Sequence, residues 1–294
     1  MLKVVWDLRV APITFDFAIY LAIVECFRQL RNEDSGIDIT IRADEFRMDT
    51  HREKVMPTQE KRWRLKNIIL DLCELLPTIK SLTLTSEDRG PFDYPPEYAS
   101  KNRIVYAAKR VVEYHKWGAN PIVLKAPAFA AEVTSNSISK PYVTLTLRTS
   151  RFLTARNVDH HEWYRFYSYL RSHGHKVVIV PDQEDYLGDR TYRRFDWDVY
   201  EPACMDIRLR LALYENAIMN VGSSNGPVGA MFYSIAPVLQ FDQLRGAVYD
   251  PAFWRRTNGF EVGQQYPWSG PNQRMTWTDS TFDNMRSEWQ SLGL

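Results

Sequence analysis

The chain has 294 residues, which is enough for two domains of ordinary size. Its composition is that of a folded protein in water, with 45% hydrophobic residues, 25% charged residues and a formal net charge of +1. This near-neutral charge argues against a general nucleic-acid-binding protein, so any basic surface must be local. No apolar run reaches the roughly 20 residues that a membrane-spanning helix needs, so the sequence predicts no transmembrane segment.

The start of the chain and its cysteines indicate the compartment. The first ten residues, MLKVVWDLRV, predict a strand rather than a signal peptide. Cys26, Cys73 and Cys204 lie far apart without a C-x-x-C pair, so the sequence predicts neither a disulfide framework nor a zinc site. We therefore expect a cytoplasmic protein. Peripheral contact with a membrane surface stays open, although no amphipathic basic helix requires it.

Strand and helix patterns alternate along the first half of the chain. Apolar runs predict short strands, and apolar residues at helical spacing predict helices between them. The strands are expected at 3–8, 38–42, 81–85 and 121–125, and the helices at 14–30, 59–76 and 97–117. This alternation implies an open, mostly parallel sheet. Residues 126–140 lose the periodicity and gain alanine and serine, so they predict the linker between two domains.

Three polar residues, Arg9, Thr14 and Asp16, follow the first predicted strand. In open parallel sheets, functional side chains collect at the carboxyl ends of the strands. Asp16 lies near the N-terminus of the predicted helix 14–30, where the helix dipole favours an ionised carboxylate, so it could serve as a general base. A first-turn acid that only stabilises the helix is the alternative. The loop has no G-x-G-x-x-G, which argues against an ordinary dinucleotide-binding start.

A basic loop opens the second half of the chain. The predicted strand 142–147 runs directly into residues 148–157, which hold Arg148, Arg151 and Arg156 and no acid. Guanidinium groups bind phosphate in a two-pronged manner and stay charged at any working pH. This loop at the carboxyl end of a strand therefore predicts a phosphate-binding site. Exposed arginines in an ordinary surface loop are the alternative.

A carboxylate stands after the next predicted strand. A helix at 159–172 leads to a strand at 175–180, and Asp182 comes just beyond it. A carboxylate in this place can bind the hydroxyls of a ribose, or it can cap the next turn. Residues 186–202 show no clear period and predict a long loop before a helix at 204–216.

The most informative stretch is residues 217–242, AIMNVGSSNGPVGAMFYSIAPVLQFD. It predicts a strand, a tight loop, a short helix with Pro227 at its first position, and a parallel strand that ends at Asp242. Backbone N–H groups stay free in such a loop at a helix N-terminus, where the dipole favours an anion. An ordinary β–α turn is the alternative. The loop residues of interest are Ser223, Ser224, Asn225 and Gly226.

Two of these stretches resemble parts of a known family. Residues 142–182, YVTLTLRTSRFLTARNVDHHEWYRFYSYLRSHGHKVVIVPD, are similar to the start of the donor domain in heptosyltransferase-type enzymes. Their strand followed by arginine also resembles the nucleotide-binding segment of fucosyltransferases. Residues 217–242 resemble the late donor-domain segment, where heptosyltransferases carry a threonine/glycine phosphate loop before a small helix, a proline and a strand. The chain as a whole resembles a divergent GT-B glycosyltransferase.

The chain also departs from that family. The glycine-rich first loop is missing, and the chain is short for the class. The family's D-x-T-G-x-x-H run reads V-G-S-S-N-G-P here and contains no histidine. These differences leave the donor less well defined than the fold.

The resemblance implies an α/β fold with two Rossmann-like domains and mostly parallel sheets. We expect an acceptor domain at 1–130, a nucleotide-sugar donor domain at 131–276, and a terminal segment at 277–294. The helix of that segment, with Thr278 as its cap, would pack back on the first domain. The implied reaction moves a sugar from a nucleotide-sugar to a glycan or glycolipid acceptor. Neither a metal nor another cofactor is expected, since no D-x-D pair stands at a strand end.

The same resemblance implies roles for the candidate residues. Asp16 would remove the proton of the acceptor hydroxyl, with Arg9 and Thr14 on the acceptor side. The loops of the second domain would bind the donor and stabilise the charge that grows on the departing phosphate. The donor-binding residues would be Arg148, Arg151, Arg156, Asp182, Ser223, Ser224, Asn225, Gly226 and Asp242.

Other functions remain open on the sequence alone. A nucleotide-sugar epimerase or hydrolase on the same fold would bind the same donor without needing an acceptor. A protein that binds a nucleotide or a carbohydrate without catalysis would keep the loops and have no use for a base. A pyruvyl-type transferase on a similar fold would use phosphoenolpyruvate instead of a nucleotide.

Overall fold

The computed structural model describes residues 1–48, 50–87, 90–101, 104–246 and 250–294, except for the side chains of 99–101. The chain divides into two compact units. The first consists of Met1–Lys125 and Arg256–Gly259, and the second consists of Ala126–Arg255 and Phe260–Leu294. Among the described residues, no helix is both long enough and apolar enough to cross a membrane.

The first unit contains a three-stranded parallel sheet. Its strands are β1 (Leu2–Asp7), β2 (Ile37–Arg42) and β3 (Ile79–Thr85), in that spatial order. β1 and β2 are buried along most of their length, as expected for parallel strands that are covered on both faces. β3 alternates between partly buried and exposed residues.

Helices flank this sheet. They are α1 (Asp16–Leu30), α2 (His51–Val55), α3 (Thr58–Arg64), a π-helical stretch (Leu65–Leu70), α4 (Asp71–Glu74), α5 (Pro96–Lys101) and α6 (Ala108–Lys116). The single helix predicted at 97–117 is therefore two helices.

The core of the first unit is built around Trp6 of β1. Its ring packs against Phe17 and Tyr20 of α1, with ring centroids 5.0 and 4.8 Å apart. All three side chains are fully buried. The hydroxyl of Tyr20 donates to the carbonyl of Val5 (2.7 Å), which satisfies the one polar atom of a buried tyrosine. This contact fixes α1 against β1 and so positions the loop between them.

The strand predicted at 121–125 does not form. These residues have no strand pairing, and the backbone N–H of Lys125 donates to the carbonyl of Leu75, just after α4 (2.8 Å). Pro121 has no N–H to give to a sheet ladder, so a short apolar run that begins with proline is a weak indication of a strand.

The second unit contains a five-stranded parallel sheet in the spatial order β5-β4-β6-β7-β8. Thr146 at the end of β4 is in register with Val180 of β5 and with Gly222 of β6. The loops that follow these three strands therefore leave the sheet side by side at one edge. The strands are β4 (Val143–Thr146), β5 (Val177–Val180), β6 (Met219–Ser223), β7 (Val238–Phe241) and β8 (Gln273–Met275).

Helices connect these strands, so that both units are Rossmann-like. The α-helices are α7 (Ala128–Ser137), α8 (His160–Ser172), α9 (Gln183–Leu187), α10 (Pro202–Met205), α11 (Ile207–Glu215), α12 (Gly226–Ala230), α13 (Pro251–Phe253) and α14 (Phe282–Ser291). Short 3-10 helices occupy Thr154–Arg156, Thr191–Arg194 and Met231–Tyr233, and a π-helical stretch occupies Trp254–Asn258.

The predicted linker at 126–140 is largely helical. It contains α7, which packs against α11 within the second unit. Alanine favours a helix, and two serines of α7 hydrogen-bond backward along it, Ser135 to the carbonyl of Glu132 and Ser137 to that of Val133. The predicted break between the domains agrees with the start of the second unit at Ala126, but composition did not indicate α7.

The terminal helix contributes to the core of the second unit. α14 begins at Phe282, with Thr281 rather than Thr278 as its cap. Its buried residues, Met285 and Trp289, lie one turn apart and join the core of the second unit, where Trp289 contacts Phe166 of α8 (centroids 6.2 Å apart). The apolar face of α14 thus contributes to the core of the second unit, and the packing of this helix on the first domain stays a prediction.

Removing the Trp289 side chain should destabilise the second unit. Trp289→Ala leaves a cavity between α14 and α8, and we expect a loss of about 3–5 kcal/mol in the free energy of unfolding. Urea unfolding measures it, with Ser287→Ala on the exposed face of the same helix as the control. A Trp289→Ala protein as stable as the Ser287→Ala control would contradict this packing.

Candidate functional site

Arg148 closes the basic loop onto itself. Its side chain is buried, with 7% of its surface exposed. The guanidinium donates to the carbonyls of Phe152 (2.5 Å) and Leu153 (3.2 Å), and also to the side-chain oxygen of Asn157. Leu153 has a left-handed backbone conformation (φ 52°), which the surrounding hydrogen bonds hold in place. Arg148, one of the three arginines predicted to bind phosphate, therefore shapes its own loop.

Arg156 joins the two loops that the sequence singled out. Its guanidinium donates to the backbone carbonyl of Ser224 and to the Ser224 hydroxyl (3.2 Å). This brings the basic loop and the Ser223–Gly226 loop together at the carboxyl edge of β4 and β6. The neighbouring Ser223 hydroxyl is buried and has no hydrogen-bond partner among the described residues. A buried hydroxyl of this kind can bind a ligand oxygen.

The rest of that loop is held by the start of α12. The Asn225 side chain caps the helix by accepting from the backbone N–H of Val228 (2.9 Å), and Gly226 is the first helical residue. Gly222, the last residue but one of β6, lies against Val228 so closely that an added Cβ would stand 2.5 Å from a Val228 methyl carbon. Only glycine at 222 allows this approach of helix and strand.

Two acids that follow β5 accept hydrogen bonds from the basic loop. Asp182 caps α9 by accepting from the N–H of Glu184 (2.9 Å), and it also accepts from the N–H of Thr149 (3.3 Å). Burial raises the pKa of Asp182. Glu184 accepts from the Ser150 hydroxyl (3.1 Å) and from the N–H of Arg151 (2.7 Å). Of the two uses predicted for Asp182, the cap is the one that this geometry contains.

Arg151 is the most exposed of the three loop arginines. Its side chain is 67% exposed, and its guanidinium makes a long ion pair with Glu184 (3.6 Å). Ion pairs of exposed groups contribute little to stability. The exposed Arg151 guanidinium is accessible to an anionic ligand.

Asp242 anchors the segment that precedes α14. The residue is 2% exposed and has a left-handed backbone conformation (φ 64°). Its carboxylate accepts from the N–H (2.8 Å) and the hydroxyl (2.7 Å) of Ser280, and Arg245 lies 3.6 Å away. Burial raises the pKa of Asp242. This geometry favours a structural role, while donor binding by Asp242 stays a prediction.

His160, the first residue of α8, contacts the basic loop through Thr149. Its Nε2 lies 3.0 Å from the Thr149 hydroxyl, and its ring meets Phe195 and Trp197 edge-on. Burial lowers the pKa of His160, with the acids Asp185 and Asp159 opposing this shift. The sequence analysis did not identify His160 as a site residue, because a histidine in a helical pattern gives no local sign of its contacts.

In the first unit, Asp16 is the first residue of α1. The Thr14 hydroxyl donates to its carboxylate (2.7 Å) and accepts from its backbone N–H (3.3 Å). Asp16 remains partly exposed. The structure thus brings together two of the predicted residues, with a carboxylate that is oriented and still accessible.

Arg9 forms an ion pair with Asp7 at the end of β1. Its guanidinium grips both Asp7 oxygens (3.0 and 2.5 Å), and the Tyr98 hydroxyl donates to the same carboxylate (2.5 Å). Burial alone would raise the pKa of Asp7, but the hydrogen bonds from Arg9 and Tyr98 outweigh it and the pKa is lowered. Tyr98 is far away in sequence and could not be predicted as a partner. Acceptor binding by Arg9 stays a prediction.

In the part of the chain that the structure describes, no group of three or more His, Cys, Asp or Glu side chains is arranged to hold a metal ion.

Comparison by sequence identifies no relative: no protein-family model and no curated protein matches this chain. Comparison by structure finds 37 matching chains. Escherichia coli ADP-heptose LPS heptosyltransferase II has a TM-score of 0.61 and 13% identity, over 99% of this chain and 98% of its own. A family 9 glycosyltransferase from Veillonella parvula has a TM-score of 0.57 and 9% identity, over 98% of this chain and 88% of its own.

A third structure, E. coli heptosyltransferase WaaC with ADP, has a TM-score of 0.52 and 13% identity, over 99% of this chain and all of its own (100%). At these identities the likeness shows the fold. The chain has the GT-B-like fold of these glycosyltransferases, with two Rossmann-like units, which confirms the predicted fold class and resemblance.

The burial of His160 should make stability depend on pH. Its folded pKa lies below the unfolded value of 6.5, so the unfolded state takes up the proton first as the pH falls. The contribution of the neutral histidine is therefore fully present above about pH 6.5 and is lost as the pH falls toward the folded pKa. Thermal unfolding across this range should show a steeper loss for the wild type than for His160→Gln. Parallel curves would contradict the burial of a neutral His160.

Proposed function

We propose that this chain is a glycosyltransferase that moves a sugar from a nucleotide-sugar donor to a hydroxyl of a glycan or glycolipid. The observation that carries the proposal is the hydrogen bonding of Arg156 to Ser224, which unites a basic loop and a small polar loop at one sheet edge. The full-length likeness to heptosyltransferases supports it, because one of them acts with ADP-heptose and another binds ADP.

In this proposal the donor diphosphate binds to Arg151, Arg156 and Ser223. Two guanidinium groups supply positive charge, and the Ser223 hydroxyl supplies a donor that has no partner among the described residues. Pairing such a buried group recovers about 1–3 kcal/mol that its desolvation costs. The arginines also stabilise the negative charge that grows as the nucleoside diphosphate departs, so the proposed reaction needs no metal.

The other predicted donor residues act on the shape of the site. Arg148 holds the loop closed through the carbonyls of Phe152 and Leu153. Asp182 fixes the start of the same loop, and Asn225 and Gly226 form the start of α12. A site binds more tightly when the residues that contact the ligand are already held in place before the ligand arrives.

Asp16 is the proposed general base. It accepts the proton of the acceptor hydroxyl while that oxygen forms a bond to the anomeric carbon of the donor sugar. The bond between that carbon and the phosphate oxygen breaks, and its electron pair leaves on the nucleoside diphosphate. Thr14, which donates to the Asp16 carboxylate (2.7 Å), orients the base toward its substrate.

Nucleotide binding is the first test. A thermal-shift screen with ADP, GDP, UDP, CMP and phosphoenolpyruvate, with and without Mg²⁺, should find one nucleoside diphosphate that raises the melting temperature. At 100 times its Kd, such a ligand stabilises the folded state by about 2.7 kcal/mol. Arg156→Ala should weaken binding by about 10- to 100-fold, because it removes a charged hydrogen bond.

Arg171→Ala is the matched control: Arg171 lies on α8 and forms a surface ion pair with Asp198 (3.3 Å), and its variant should keep the full shift. The absence of a shift with every nucleotide would overturn the proposed donor site. A shift with phosphoenolpyruvate alone would point to pyruvyl transfer instead.

The role of Asp16 is tested by Asp16→Asn. The variant should lose about 10²–10⁴-fold in turnover, the usual contribution of a general base, and keep the nucleotide-induced thermal shift. Asp34→Asn, at an exposed position in the first unit, controls for the loss of a charge. Release of nucleoside diphosphate from a nucleotide-sugar is the readout, with methyl glycosides as acceptors. Release that does not depend on an acceptor would favour a hydrolase, and unchanged release in Asp16→Asn would exclude this base.

A further inference from the structure

β3 is an edge strand of the sheet in the first unit. β2 pairs with it on one side, and no described strand pairs with it on the other. The carbonyl of Thr85 accepts from the N–H of Ala43, just after β2 (3.1 Å), so the backbone groups of Thr85 point toward β2. Because these directions alternate along a strand, the N–H and C=O groups of Leu82 and Leu84 point away from the sheet. They have no hydrogen-bond partner among the described residues.

The side chains along this edge are apolar and exposed. Leu82 is 42% exposed and Leu84 is 52% exposed, and both lie on the same face of β3. Natural sheets protect an open edge with lysine, proline or a bulge. β3 has a lysine and an irregular pairing at its start, around Lys80, and residues 82–84 have neither. This part of the edge is therefore accessible to another strand.

A second copy of β3 fits this edge when the two strands run antiparallel about a two-fold axis. Such an axis keeps the same face of both sheets on one side, so an exposed residue of one copy lies opposite an exposed residue of the other. With Thr83 on the axis, Leu82 of each copy lies opposite Leu84 of the other. Their outward-pointing N–H and C=O groups then form hydrogen bonds with each other, and all four leucines share one face.

The charges at the two ends of β3 complement each other in this arrangement. Lys80 is exposed at the start of the strand, and Glu87 is exposed just after its end. Pairing about Thr83 places Lys80 of each copy opposite Ser86 of the other and beside its Glu87. A shift of either strand by two residues would put a leucine opposite Lys80 or Ser86 instead. The charges and the leucines therefore favour the same register.

We propose that the outer edge of β3 is a self-association surface, at which two copies of this chain pair antiparallel about Thr83. The two three-stranded sheets become one continuous sheet across the dimer. A contact made by a strand of seven residues is small, below the roughly 1,200 Å² in total at which standard interfaces begin. The dimer is therefore weak, with a dissociation constant in the micromolar range or above.

Sedimentation velocity of the full chain, from about 1 µM to about 1 mM, tests the association. The wild type should change from monomer to dimer within this range. Leu84→Lys should weaken the dimer by about tenfold or more, because it places two lysines against the leucines of the pair. Val55→Lys, at an equally exposed apolar residue of α2 (52%), should associate like the wild type.

A wild type that stays monomeric at every concentration overturns the proposal and leaves this edge to a strand of another protein. Undiminished dimerisation of Leu84→Lys overturns it as well, because the copies then meet through another surface.

Disulfide crosslinking tests the register. The native cysteines are free and buried. In the proposed pair, the two Thr83 Cα atoms lie about 4.5 Å apart, whereas the two Ser81 Cα atoms lie about 13 Å apart. Under mild oxidation Thr83→Cys should form a crosslinked dimer and Ser81→Cys should not, since a disulfide needs Cα atoms within about 7 Å. A dimer in which Thr83→Cys fails to crosslink, or in which Ser81→Cys crosslinks as well, overturns this pairing.

A charge exchange tests the contact between the strand ends. Lys80→Glu and Glu87→Lys should each weaken the dimer by about two- to tenfold, because each puts like charges together at both ends of the pair. The double variant restores opposite charges and should dimerise nearly as well as the wild type. A double variant weaker than both single variants contradicts the proposed contact.

Discussion

The buried guanidinium of Arg148 is the interaction on which the loop edge of the second unit depends. It binds two carbonyls and a side-chain oxygen of its own loop, and so it holds Leu153 in a left-handed conformation and presents Arg156 toward Ser224. Burying a charged group is costly unless it is hydrogen-bonded, and here the carbonyl oxygens of a loop that lacks regular structure supply the partners. The loop conformation therefore depends on the hydrogen bonds from Arg148, and the burial of Arg148 depends on the oxygen atoms that the loop supplies.

The acids of the second unit are used in a way that suits an anionic ligand. Asp182 and Asp242 are bound to backbone N–H groups or to Ser280, and burial raises the pKa of both. Glu184 is occupied by Ser150 and Arg151. Carboxylates that serve as caps inside the fold leave the guanidinium groups as the main charges at the loop edge, which favours phosphate.

The first unit has the opposite chemistry at the end of β1. Asp7 is neutralised by Arg9, whereas the Asp16 carboxylate at the start of α1 is partly exposed. A carboxylate is suited to the hydroxyls of a sugar and not to an anion. The division of charge between the two units thus parallels the two substrates of a glycosyl transfer, an anionic donor and a neutral acceptor.

Local sequence determined much of this protein. Strand and helix periodicity gave the two α/β units, and the βα loops with Arg156, Ser224 and Asp16 follow from it, because parallel neighbouring strands place their carboxyl ends at one edge. Two expectations drawn from composition did not hold. Residues 126–140 contain a helix, which their alanines favour. Residues 121–125 form no strand, since Pro121 has no N–H to give to a sheet. Which arginine turns inward and where α14 packs were decided by tertiary structure. The α14 contacts join residues that are far apart in the chain, and both features depend on burial, which no local pattern reports.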